Sequence, residues 1–213
     1  MFLSRTGLRK LMTQAYKGQG LKVRNDGAGL SITGTKWSVY FLMTDMPKEV
    51  LGDLISLVGQ LPACMESYEA SPEGNQMLLY DPDEQDAMEA GRKAGPKLEK
   101  LPLILMSGGP IAVLQNPDFG KHDITLVDDY RMGLINPKYV NKANDESYPE
   151  GPLQGGGMIE GRFLAAVTWY NNRMGFSLGF EDTIDEYGGD IAHILDGHLL
   201  WRSPKGRAAE VET

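Results

Sequence analysis

An α+β fold, an antiparallel sheet or sheets with a few amphipathic helices packed on one face, follows from three features of the chain. Two segments, opening at Ser4 and at Pro47, repeat apolar residues with helical period. Between them, and again from Leu101 onward, apolar residues alternate with polar ones or run in short blocks, as strands do. The 26 glycines and 12 prolines among 213 residues imply more turns than a helical bundle uses.

The first helix is expected over residues 4–17. Ser4 is its N-cap, and Leu8, Leu11, Met12 and Ala15 share one face, leaving Arg5, Arg9, Lys10, Thr13 and Gln14 on the other. Gly18 and Gly20 end it. Leu21 and Val23 then alternate with Lys22 and Arg24, Asn25-Asp26-Gly27 supplies a turn, and Leu30 and Ile32 alternate with Ser31 and Thr33. After Gly34-Thr35-Lys36, Trp37–Leu42 has high strand propensity, so these runs predict an antiparallel meander with one face buried. Pro47 stands at the first turn of a second helix, striped by Val50, Leu51, Leu54, Ile55 and Val58 and ended by Gly59 and Pro62.

Beyond this unit, residues 63–80 read as a long loop closed by a short strand at 76–80. Asp81 and Pro82 open an acidic, peripheral helix to about Lys93. Leu103–Met106 and Ile111–Leu114 predict a buried hairpin, Ile124–Val127 a further strand, and Asn136-Pro137 a helical turn through Val140. Residues 141–161, with Gly155-Gly156-Gly157, read as a loop or linker. A second hairpin runs from Phe163–Tyr170 through Asn171-Asn172 to Arg173–Phe180, and residues 190–202 form a helix or a closing strand. The expected organisation is therefore a helix-meander-helix unit at 1–62, an acidic loop and helix at 63–100, a β-rich region at 101–203 and a flexible tail at 204–213.

Composition excludes several classes. A single cysteine, Cys64, rules out an intramolecular disulfide or a thiolate metal cage. Arg5, Arg9 and Lys10 interrupt any apolar leader, and no run approaches the roughly 18 apolar residues of a membrane helix, so a cytoplasmic location is expected. The net charge of −8 is unevenly spread. Residues 1–48 hold eight Lys/Arg against Asp26 and Asp45, net +6, whereas residues 49–91 hold ten acids and no Lys or Arg, net −10. Such blocks make either oppositely charged solvated faces or surfaces that steer charged partners.

Two clusters stand out as candidate sites. Glu181, Asp182, Asp185, Glu186 and Asp190, followed by His193, Asp196 and His198, offer an acidic patch for a protein partner. The same stretch could serve a metal-dependent hydrolase, although it matches neither a His-Glu-x-x-His helix nor a calcium loop. The other cluster, Arg5, Arg9, Lys10, Lys17, Lys22 and Arg24 with Tyr16 and Trp37 nearby, offers a basic face for nucleic acid. Ser107-Gly108-Gly109-Pro110 lacks the Lys-Ser/Thr of a phosphate loop, and no Gly-x-Ser-x-Gly elbow or dinucleotide fingerprint occurs. No catalytic set, resident metal or cofactor is expected.

The opening segment Leu8-x-x-Leu11-Met12-x-x-Ala15-Tyr16-Lys17-Gly18-x-Gly20-Leu21-x-Val23, closing on Leu57-Val58-Gly59-x-Leu61-Pro62, resembles the start of small proteins of bacteriophages and prophages, especially those of gut Firmicutes. The resemblance covers residues 1–62. It implies a mobile-element origin, a bacterial cytoplasm, and the association of such proteins with inhibitors of host defence, anti-CRISPR proteins among them. The leading expectation is a binding protein that inhibits a host nuclease or defence complex through charged surfaces. Nucleic-acid binding by the basic face and metal-dependent hydrolysis at 181–198 are the alternatives.

Overall fold

The computed structural model describes residues 2–79, 97–106, 109–115, 124–136, 153–159, 162–170 and 173–179. Helices α1 (Arg5–Lys17) and α2 (Lys48–Val58) flank a meander of β1 (Leu21–Asn25), β2 (Gly29–Gly34) and β3 (Trp37–Leu42), as their patterning predicts. A hairpin of β4 (Glu66–Ser71) and β5 (Gly74–Leu78) follows, then β6 (Lys97–Met106), β7 (Pro110–Gln115), β8 (Ile124–Asp128), the single turn α3 (Asp129–Met132), β9 (Leu153–Ile159), β10 (Arg162–Tyr170) and β11 (Met174–Gly179). All strand pairings are antiparallel, in the order β5-β4-β1-β2-β3-β11-β10-β9-β6-β7-β8. The last strand of that order, β8, returns beside β11, so the sheet coils on itself.

The local chemistry of each element is plain. Ser4 caps α1 by accepting a hydrogen bond from the Gly7 N–H. Asn25 accepts from the Gly27 N–H, and Asp26 from the N–H groups of Ala28 and Gly29, so these side chains fold the β1–β2 turn that Gly27 completes at φ +87°. Pro47 is the N-cap residue of α2, one position ahead of the first turn, and Gly59 ends that helix at φ +80°.

Leu8, Leu11, Met12, Val50, Leu54 and Val58 from the helices meet Leu21, Val23, Leu30, Ile32, Val39 and Phe41 from the meander. The same core takes in Tyr68 and Ala70 of β4, Leu98, Ala112, Leu114 and Val127 of β6–β8, and Phe176 and Leu178 of β11. Both helices therefore lie on one face of the sheet. Across β6–β8, Leu101, Ile111, Val113 and Leu126 form a second cluster on the other face, which explains why β7 is buried along Ile111–Gln115.

Three expectations are corrected. The long loop expected from residue 63 is instead β4, which forms a tight hairpin with β5, the short strand expected at 76–80 and found at Gly74–Leu78; Tyr68 and Ala70 are the inward residues of the otherwise polar β4. The Gly155-Gly156-Gly157 run lies inside β9, where pairing with Ala165 and Ala166 of β10 turns an apparent linker into sheet. The first strand after position 96 begins at Lys97, because Lys97 and Leu98 pair with β9 before the apolar run starts. The acidic helix, the turn after Asn136, the Asn171-Asn172 turn and everything from Phe180 lie outside the described residues. Across the boundaries at 62 and 100, β1 pairs with β4, and β3 pairs with β11.

Candidate functional site

Helical period turns Gly7, Leu8, Leu11, Met12 and Ala15 of α1 into the core and leaves Thr6, Arg9, Lys10, Thr13, Gln14 and Lys17 facing outward. With Gly18, those outward residues form one open face along the helix flank. A cleft of about 380 Å³ opens between α1, the β2–β3 turn and the β8–α3 junction, bordered by Lys10, Gln14, Gln19, Thr35, Trp37, Asp128, Tyr130 and Arg131. Lys10, Gln14 and Gly18 belong to both, so the two are continuous around the helix.

The electrostatics are set by where the few acids sit. Asp53 of α2 is only 8% exposed and is gripped by the Arg5 guanidinium at 2.9 and 3.2 Å, with Arg9 at 3.7 Å. The Arg5 hydrogen bond holds the Asp53 carboxyl below the usual carboxylate range against the opposing effect of burial, and the same bond raises Arg5. Lys10 reaches over the Tyr130 ring, 4.8 Å from its centroid, a contact that attracts the ammonium without neutralising it. Lys17 lies in the last turn of α1, where the helix dipole favours a cation. Asp128 caps α3 by accepting from the Arg131 N–H and sits 4.0 Å from the Arg131 guanidinium, and Lys100 pairs with Asp129 at 2.6 Å.

A carboxyl depressed in the folded state stabilises the fold above the unfolded value of about 3.9, and that contribution is lost as pH falls through the folded value. The melting temperature of D53N is therefore expected to fall furthest below wild type near neutral pH, with the gap closing below about pH 4. Thermal melts of both proteins across that range check this, and a gap independent of pH would refute the role given to the ion pair.

Of the six cations singled out in the sequence, Arg9, Lys10 and Lys17 share one open face of α1, and Arg5, one turn before Arg9, is held by Asp53. Lys22 and Arg24 go elsewhere. They alternate with the buried Leu21 and Val23, so they lie on the sheet face opposite α1, half-buried and already engaged in contacts. Glu181, Asp182, Asp185, Glu186 and Asp190, with the histidines near them, lie outside the described residues. Among the described residues no three His, Cys, Asp or Glu side chains gather to hold a metal ion, and Cys64 is exposed and free.

Sequence reasoning did not place Tyr130 or Arg131 beside Lys10. The available signal was Asp128-Asp129, an N-cap pair directly after a strand. No helix among the described residues is long and apolar enough to cross a membrane. Comparison with known proteins finds no matching family model, no matching curated protein and no matching solved structure.

Proposed function

We propose that this chain is a binding protein rather than an enzyme, of phage or mobile-element type, that acts on a host nucleic-acid-processing or defence complex. In this reading α1 meets the nucleic acid of that complex. One observation carries it: the outward face of α1 presents Arg9, Lys10 and Lys17 together and contributes no carboxylate of its own. Among the described residues Lys10 and Lys17 have no anionic partner, Lys10 lying over the Tyr130 ring, whereas Arg9 shares Asp53 with Arg5. Spaced cations of this kind suit phosphates, whose neutralisation releases counterions and makes binding fall with salt. The overall charge of −8 keeps that binding weak unless the rest of the complex adds contacts.

Fluorescence anisotropy with labelled single-stranded and duplex oligonucleotides tests the reading. Wild-type protein is expected to bind at low salt with a log–log salt slope of roughly −2 to −3, and each of R9Q, K10Q and K17Q is expected to reduce that slope by about 1. In parallel, a bacterial lysate should yield a nucleic-acid-containing complex to wild type and less of it to the triple variant. Absence of any oligonucleotide binding at low salt would remove α1 as the contact. Failure to recover any host complex at low or moderate salt would remove the wider function.

A further inference from the structure

We propose, building on the reading of α1 as a nucleic-acid face, that the cleft between α1, the β2–β3 turn and the β8–α3 junction receives one unpaired nucleobase. The nucleic acid met by this chain is then single-stranded at the point of contact. Phosphate contacts hold paired and unpaired strands alike, whereas a base reaches a cleft only when it is out of the duplex stack.

The cleft stands where a strand lying on α1 would pass. Lys10, Gln14 and Gly18 border it and belong also to the open cationic face, so phosphates held at Arg9, Lys10 and Lys17 bring their bases to its mouth. At about 380 Å³ the space lies near the lower end of small-ligand pockets, which suits one nucleotide unit and excludes a stacked duplex.

The walls match a base in both surface and edge. Two aromatic side chains border the cleft, the exposed Tyr130 and the otherwise buried Trp37. Lys10 lies over the Tyr130 ring, which puts a cation beside that aromatic wall. Hydrogen-bonding groups of both kinds surround the rings. The Asp128 carboxylate accepts, and the Arg131 guanidinium 4.0 Å from it donates. Gln19 accepts from the Thr35 hydroxyl at 2.9 Å through its Oε1, which leaves the amide nitrogen of the same side chain as a donor at the cleft. A nucleobase is flat, carries donors and acceptors along its edge, and packs its faces on aromatic rings. An inorganic anion would leave the rings unused and meet the charge of Asp128, and an aliphatic ligand would leave the polar groups without partners.

The test uses the full chain and three labelled oligonucleotides of equal length: a single strand, an abasic strand with the same phosphates, and the duplex. Fluorescence anisotropy at low salt is expected to show the intact single strand bound at least about fivefold more tightly than the abasic strand, as one base on an aromatic wall provides. T35W, a bulky substitution on the exposed β2–β3 turn, is expected to fill the mouth of the cleft. It should lower binding of the intact single strand to the level of the abasic one and leave the abasic strand and the duplex unaffected. Equal binding of intact and abasic strands would overturn the inference while leaving the α1 reading in place, and no binding of any of the three would remove both. A nucleoside monophosphate that competes as well as the strand itself would make the cleft a site for free nucleotides and also overturn the proposal. Should T35W fail to fold, the comparison of intact and abasic strands on the wild-type chain decides the matter alone.

Discussion

Truncating Phe176 to Ala is expected to destabilise the chain by about 3–5 kcal/mol and to loosen its N-terminal sheet along with its C-terminal hairpin. Phe176 is fully buried, pairs with Val39, and lies in the same core as Leu8, Leu54 and Phe41. Removing its ring leaves a cavity that neighbouring side chains on fixed strands fill only in part, so transfer and cavity costs add. The consequence reaches residues far away in sequence, because β11 hydrogen-bonds along the edge of β3 that β2 leaves open. Amide exchange across β1, β2 and β3 is the measurement. Faster exchange there in F176A is the expected result. Unchanged exchange in the meander, with opening confined to β10 and β11, would show that residues 1–62 fold without the C-terminal strands.

The second large effect is expected at Gly29. A Cβ at this position would sit 2.4 Å from the Phe41 carbonyl oxygen and 2.5 Å from the Tyr40 ring. The oxygen belongs to the backbone of β3, the strand that pairs with β2, so it cannot move aside without breaking the ladder. G29A should therefore cost at least about 1–3 kcal/mol, the usual range for overpacking. The contrasting substitution is G52A. Gly52 is exposed within α2 with nothing within 4 Å of the added methyl, so exchanging glycine for alanine should stabilise the helix by about 0.5–1 kcal/mol. Chemical denaturation of both variants gives the two signs directly, and a G29A protein as stable as wild type would contradict the close approach of β2 and β3.

The candidate site was legible to the depth of one helix. Arg9, Lys10 and Lys17 share a flank because an amphipathic helix leaves them no alternative once Leu8, Leu11, Met12 and Ala15 are buried. The extension of that basic face onto β1 did not follow. Strand alternation sends Lys22 and Arg24 to the side opposite Leu21 and Val23, and α1 packs on the Leu21 and Val23 side. The acid that captures Arg5, the ring under Lys10 and the guanidinium across the cleft come from α2 and α3, elements whose position beside α1 has no local signature.

By itself the sequence determined the α+β class, the limits of α1 and of the meander, α2 from its first turn, and the pairing of the β6–β7 and β10–β11 hairpins, though not the burial expected of Leu103–Met106, where Ile104 and Met106 are exposed. In each, the apolar period and the turn residues agree over a single element, and that agreement needs no distant partner. Tertiary structure alone decided three other matters. Polar segments became β4 and β9 because hydrogen bonding to a neighbouring strand overrides weak local preference. The single turn α3 docks because Leu134 fills the space that Gly7 leaves open and Leu3 bridges to Ile135. The joining of β11 to β3 brings strands far apart in the chain into one sheet, since an unpaired strand edge accepts whichever strand arrives with matching register and a hydrophobic face.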